Sequence, residues 1–249
     1  MEMRMQSFAI ALALTATMAV AQKPKSQKEL EAVKAMLSAT TADAKIAAVE
    51  DLLSRYKDTE FKAIALTQAA QAEQAKGDQI AGINYANRAI EADKKNYQAM
   101  IVLGQLTVQG IREFDLDKDE RLGRASKAAN DALNELKTAP KPNPNLTDDQ
   151  WNGIKKDFES QAHETLGIVA TVQKKPDVAV TEFKVALDSA PAPDPGTMVR
   201  LASVYDDMGK FGDGAALLDK VAASNASPAV KQVALNEKTR AEKMKAAKK

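Results

Sequence analysis

From residue 26 onward the sequence is a succession of short helical stretches with little chain left over to connect them. Ser26 with Glu29 fits a capping box and opens the first stretch, to about Leu37. Ile46, Val49, Leu52 and Leu53 share one face of a second, about Asp43 to Tyr56. The spacing predicts further helices over Glu60–Lys76, Gln79–Ala92, Asn96–Gln109 and about Glu120–Lys137, with Gly77 and Gly110 as stops. Thr147 with Gln150 fits a second capping box, at the head of a long helix to about Gln173. Pro176 opens a helix to Ser189, and stretches of about Gly196–Met208 and Phe211–Ala223 follow. A last one begins after Ser227-Pro228 and runs into a lysine-rich end. A helix with one apolar face must bury it, and loops this short leave the next helix in sequence as the partner. The chain is therefore expected to be all-α, built from antiparallel helix pairs. Aromatic residues are only 4% of it while alanine is abundant, which favours close helix contacts through small side chains. No stretch alternates apolar and polar residues between turn signals as a strand would.

Charge and residue types exclude several functions. There are 35 basic and 34 acidic residues, a formal charge of +1, which gives no electrostatic reason to expect a nucleic-acid partner. With no cysteine and one histidine, disulfides, thiolate nucleophiles, cysteine-ligated metals and multi-histidine sites are out of reach of one chain. At the start, Arg4 precedes an apolar run from Phe8 to Ala21 that is short for a membrane span. It ends in Ala19-Val20-Ala21 and is followed by polar Gln22-Lys23-Pro24-Lys25, the organisation of a secretory signal peptide. Glu2 opposes Arg4 and weakens the charged region. Residues 1–21 are thus expected to be a signal peptide and the chain to be exported, periplasmic or secreted, with no membrane span once it is cleaved.

The regular lengths invite a search for a repeat. Residues 160–193 carry it best: Leu166-Gly167, then Ala179 and Phe183 with three residues between them, then Ala186, then Pro191. This segment resembles a tetratricopeptide repeat. Leu201-Ala202, Tyr205, Gly209 and Phe211 resemble the first helix and turn of the next unit. Gly77 with Ala89-Ile90-Glu91-Ala92-Asp93, and Leu103-Gly104, echo earlier ones. Where the family favours Trp early in the first helix this chain has His163, and Lys94 replaces a closing proline. The resemblance implies a solenoid of about five pairs plus a C-terminal helix, the pairs being 26–59, 63–96, 97–138, 160–193 and 195–224. The closing alanines are spaced unevenly, so the surplus residues are expected in loops. The expected organisation is a signal peptide over 1–21 and pairs one to three over 22–138, with an acidic insertion near 112–119. A proline-rich linker follows over 139–146, then pairs four and five and a basic C-terminal helix over 147–249.

Candidate chemistry is sparse. His163 sits at a core-type position, and its sequence neighbour Glu164 points elsewhere on the helix, so a packed histidine is expected. No nucleophile elbow, phosphate loop or dinucleotide glycine motif occurs, so neither catalysis nor a cofactor is expected. Asp115, Asp117 and Asp119 have the spacing of the first ligands of a calcium loop. Glu120 stands where that motif needs glycine and Ser126 where it needs a bidentate glutamate. A solvated loop whose last aspartate caps the following helix is the expectation, with a metal at these three residues as the weaker alternative. Lys238, Arg240, Lys243, Lys245, Lys248 and Lys249 form a basic end that complements a helix dipole.

The resemblance also implies that the first helix of each pair lines a concave groove for a protein or peptide. Aligned on the Leu-Gly pairs, Thr67, Gln71, Gln74, Gln98, Gln105, Gln161, Glu164, Ser203 and Asp206 are expected there. They are mostly amides, able both to donate and to accept. The lysine-and-asparagine carboxylate clamp of some family members is not evident. The expected function is a non-catalytic scaffold, with cell-envelope assembly as a possible setting. The alternatives are a calcium-dependent module using Asp115, Asp117 and Asp119, or an accessory subunit of an envelope enzyme.

Overall fold

The computed structural model describes residues 22–247, and among them there are eleven α-helices and no strand. The apolar run and cleavage pattern of residues 1–21 lie outside the described residues. The helices are α1 (Gln27–Ser38), α2 (Ala42–Arg55), α3 (Lys62–Lys76), α4 (Gln79–Ala92), α5 (Tyr97–Val108) and α6 (Lys118–Thr138). There follow α7 (Asp148–Val172), α8 (Pro176–Ser189), α9 (Pro195–Asp207), α10 (Phe211–Ala223) and α11 (Pro228–Ala247). Sequential neighbours pack on each other, as a tetratricopeptide-like solenoid requires.

Local chemistry explains the ends. At α7 the capping box is reciprocal: Thr147 Oγ1 accepts from Gln150 N–H at 3.1 Å, and Gln150 Oε1 accepts from Thr147 N–H at 2.9 Å. At α1, Ser26 Oγ accepts from Glu29 N–H, but the Glu29 carboxylate takes Lys25 N–H, one residue upstream of the standard box. The exit of α1 is closed by Lys45, which is buried and donates its Nζ to Met36 O at 2.8 Å and Leu37 O at 3.1 Å. Burial pushes the Lys45 ammonium pKa down, and those two carbonyls are its compensation.

One turn recurs between the two helices of a pair. Gly77 has φ 83°, its N–H bonds Gln74 O, and the next N–H bonds Glu73 O. Gly209 repeats this with Asp206 O and Tyr205 O, at φ 77°. Lys174 repeats it with Thr171 O and Ala170 O, at φ 58°, although it carries a Cβ.

The chain divides into two compact units, and the division falls inside α7, after Trp151. One holds the described residues up to Gly110 together with Asp119–Trp151, and the other holds Ile111–Lys118 and the residues from Asn152 on. The proline stretch therefore lies within the first unit. In that unit Ala32, Val33, Met36, Val49, Leu52, Phe61, Ala65 and Ala69 form a core across α1, α2 and α3. Ala70, Ala86, Val102 and Leu106 do the same across α3, α4 and α5. In the second unit Ala170, Ala179, Phe183, Leu201, Val204 and Tyr205 join α7, α8 and α9. Val199, Ala202, Leu218, Val221, Val230 and Ala234 join α9, α10 and α11. Each core is thus a pair plus the first helix of the next, which is the nearest-neighbour stacking of a repeat protein. Gly167 on α7 lies directly against the buried Phe183 ring of α8, where the Leu-Gly pair was expected to bring two helices together.

Candidate partner-binding cleft

The first unit contains a cleft of about 790 Å³. Its walls are the start of α3 (Lys62, Ala63, Ile64, Thr67), the turn before α5 (Asp93, Lys95, Asn96) and the start of α5 (Tyr97, Gln98). The end of α6 (Glu135, Thr138) and the proline stretch from Ala139 to Pro142 close it, with Gln22 beside them. Prolines that cannot continue α6 thus become a wall. Asn96 fixes the floor: its Oδ1 accepts from Ala99 N–H at 3.0 Å as the cap of α5, and its Nδ2 donates to Thr67 Oγ1 at 2.9 Å. The Thr67 hydroxyl in turn donates to Ala63 O at 2.8 Å. Burial pushes the Tyr97 pKa up, so its hydroxyl stays protonated. Lys62 and Lys95 are exposed at the cleft, and Glu60, Asp93 and Glu135 balance them. Polar groups of both signs beside Ile64, Ala92 and prolines suit a chain of mixed composition better than a single charged ligand.

Of the nine residues expected on one groove, Thr67 and Gln98 line this cleft. Gln71, Gln74 and Gln105 pair with other amides instead: Gln68 Nε2 donates to Gln71 Oε1, and Gln74 Nε2 donates to Gln105 Oε1, both at 3.1 Å. Gln98 and Gln105, both expected on the groove, are only 6% and 8% exposed. The apolar run Met100-Ile101-Val102-Leu103 makes this helix hydrophobic nearly all round, and such a helix is buried on all sides.

The other four lie in the second unit. Gln161 Nε2 donates to Asp157 Oδ2 at 2.9 Å, and Glu164 stands 3.9 Å from Arg200. Ser203 Oγ accepts from Arg240 of α11 at 3.1 Å. Asp206 does not face a groove at all. It has no exposed surface, and it packs where a Cβ on Gly214 of α10 would meet its Oδ1 at 2.4 Å. Among the described residues neither carboxylate oxygen has a hydrogen-bond partner. Burial and then the nearby Glu237 push its pKa up to about 6, against the pull of Arg240. The repeat alignment expected Asp206 on the groove, but α10 at Gly214 packs against it and Glu237 and Arg240 of α11 lie nearby.

The remaining candidates are dispersed. Asp115 Oδ2 accepts from Arg112 N–H at 2.8 Å within its own loop, and Asp119 is inside the first turn of α6 rather than at its cap. Among the described residues no three carboxylate or imidazole side chains converge as metal ligands would. His163 does have an acid partner that sequence proximity could not reveal: Glu182 of α8, at 2.7 Å from Nδ1. It ties the helices of one pair together. Lys238 bonds Asp219 at 2.9 Å, and Arg240 bonds Glu237, Asp207 and Ser203, so part of the basic end is spent on anchoring α11. No described helix is long and apolar enough to cross a membrane.

No family model matches the sequence, and no curated protein matches it. Solved structures do. A thermophilic TPR protein of Thermus thermophilus superposes with a TM-score of 0.54 over 82% of this chain and 90% of that one, at 18% identity. A MamA RS-1 ArsTM double mutant gives 0.53 over 80% and 94%, at 11% identity. The chain has the tetratricopeptide-repeat fold. At these identities the likeness speaks to the fold of this TPR-like protein. Its helix pairs, recurring αL turns and three-helix cores are the same statement made from its own residues.

Proposed function

We propose that this TPR-like protein is an exported, non-catalytic scaffold that holds a protein or peptide partner in the cleft between α3, α5 and the end of α6. The cleft carries the reading: it is an open recess walled by helix starts and a proline stretch, with donors, acceptors and apolar patches side by side. The fold supports it, because stacked helix pairs present extended recesses suited to protein chains. Export is supported by the Phe8–Ala21 run and the Ala19-Val20-Ala21 pattern, and cell-envelope assembly is the setting it suggests. Affinity capture from the native cell envelope tests the binding. The wild-type chain is expected to retain a specific protein that the charge-reversed Lys62→Glu/Lys95→Glu variant loses. Equal retention by both would place the partner elsewhere.

Export has its own test. N-terminal sequencing of the natural protein is expected to begin at Gln22, and an intact Met1 in a cytoplasmic fraction would refute it. The calcium alternative at Asp115, Asp117 and Asp119 is expected to fail isothermal titration, with no binding in the micromolar range. Micromolar affinity that disappears in Asp117→Ala would reinstate it.

A further inference from the structure

The two halves of α11 are held differently. Its buried residues, Val230 and Ala234, lie in the first half and belong to the core shared with α9 and α10. From Asn236 to Ala247 no side chain is buried, and a polar node holds this half on α9. Arg240 donates Nε to both Glu237 oxygens at 3.0 and 2.9 Å and Nη1 to Asp207 Oδ1 at 2.8 Å. Its Nη2 donates to Ser203 Oγ at 3.1 Å and to Ser203 O at 3.3 Å. Lys238 with Asp219 of α10 adds a solvent-exposed pair, which contributes little. The node covers Ser203 and lies beside Asp206, two α9 positions expected on a groove. Asp206 has no exposed surface, and among the described residues neither of its oxygens has a hydrogen-bond partner. A buried carboxylate in that state lacks what water would give it. Of the two helices against it, α10 is anchored by Leu218 and Val221, which are buried in the core. The second half of α11 has no such anchor, so it is the element that can yield and admit water.

We propose that the second half of α11, Asn236–Ala247, is a pH-sensitive cover over α9 that is released when Asp206 ionises. The charged groups facing Asp206 are Glu237 and Arg240 of α11 and Asp207 of α9, while α10 presents Gly214. Protonated, Asp206 leaves Asp207 and Glu237 to share the Arg240 guanidinium. Ionised, it adds a third negative charge to that one cation, in a place without water. An opening that wets Asp206 relieves both costs, so opening and ionisation are linked and the open form gains as the pH rises. A free segment this short is marginal as a helix, so its backbone amides exchange once it leaves α9. Release bares Ser203 and Asp207 on the first helix of the last pair. The cover shares no residue with the cleft, so it stands or falls separately from the cleft reading.

The test is hydrogen–deuterium exchange of the full chain at about pH 5 and about pH 7.5, each rate divided by the intrinsic rate at that pH so that it reads the opening equilibrium. Protection of Lys238–Ala247 is expected to fall about tenfold between the two, the linkage for a carboxyl with a pKa of about 6 when covered and an ordinary one when wet. In Asp206→Asn the fall should vanish, with protection at the higher pH staying at the lower-pH level. In Arg240→Gln, which removes the node, protection should be low at both. The amides of α10 and of α1 should not follow. No fall in the wild type, an equal fall in Asp206→Asn, a fall shared by α10 or α1, or an Arg240→Gln protein as protected as the wild type would each overturn the proposal.

Discussion

Gly167→Leu is expected to lower the melting temperature by about 2–12 °C, while Lys184→Leu on the exposed side of α8 leaves it nearly unchanged. A Cβ at position 167 would lie 2.6 Å from both Cδ1 and Cε1 of Phe183 and 2.9 Å from its Cγ. Phe183 is 1% exposed and belongs to the core joining α7, α8 and α9, so its ring has little room to yield. Overpacking of this kind costs about 1–3 kcal/mol, and each kcal/mol shifts the midpoint by about 2–4 °C at this chain length. The contact also revises an expectation from propensity. A glycine in a helix interior costs up to about 1 kcal/mol relative to alanine, so Gly167→Ala should be close to neutral if only the helix mattered. With the ring this close, Gly167→Ala is expected to destabilise as well. Adding Phe183→Leu should make the two changes less than additive, because the shorter side chain vacates the space. Thermal melts of these variants and of Phe183→Leu alone decide it, and a Gly167→Leu protein that melts at or above the wild type would mean that 167 does not face α8.

Asp206→Asn is expected to stabilise the protein at neutral pH and to do nothing near pH 4. Asp206 is fully buried with neither oxygen bonded, and its pKa is raised to about 6 by burial and by Glu237. The groups facing it are Gly214 of α10, Glu237 and Arg240 of α11, and Asp207 on its own helix. A carboxyl whose folded pKa lies above its unfolded value favours the folded state when protonated. Its charge therefore costs stability increasingly as the pH rises from about 4 through 6, up to about 3 kcal/mol at pH 7. Asparagine removes the charge at nearly the same volume. The difference in melting temperature between Asp206→Asn and wild type should open from about pH 4, be half complete near pH 5 and level off above the folded pKa of about 6. A difference that is constant with pH, or that has the opposite sign at pH 7, would show Asp206 to be stably ionised. The free carboxylate could then be held by Arg240, whose guanidinium already bonds Glu237, Asp207 and Ser203.

These two residues also mark how far the sequence could be read. Gly167 was legible because Leu-Gly, Ala-x3-Phe and a closing proline fall at fixed offsets within one helix pair, and the pair is the unit that a repeat motif encodes. Helix ends were legible for the same local reason: the Ser26 and Thr147 caps and the αL glycines act within a few residues. Asp206 was not, since its surroundings come from α10 and α11, and no spacing within α9 reports them. Glu182 opposite His163 was missed likewise, being on the facing helix. The burial of α5 was in the sequence as the run Met100–Leu103, but the repeat alignment took precedence over it and assigned Gln98 and Gln105 to an open face. The cleft depends on the proline stretch folding back as a wall. Proline excludes a helix there without saying where the chain goes.

The most direct test of the central claim is hydrogen–deuterium exchange on the full chain with and without the protein recovered by affinity capture. The account predicts added protection at the starts of α3 and α5 and around Thr138–Pro142, with the backbone of α8 and α10 unchanged. Protection confined to α8–α11, or none at Lys62–Thr67 and Lys95–Gln98, would contradict it.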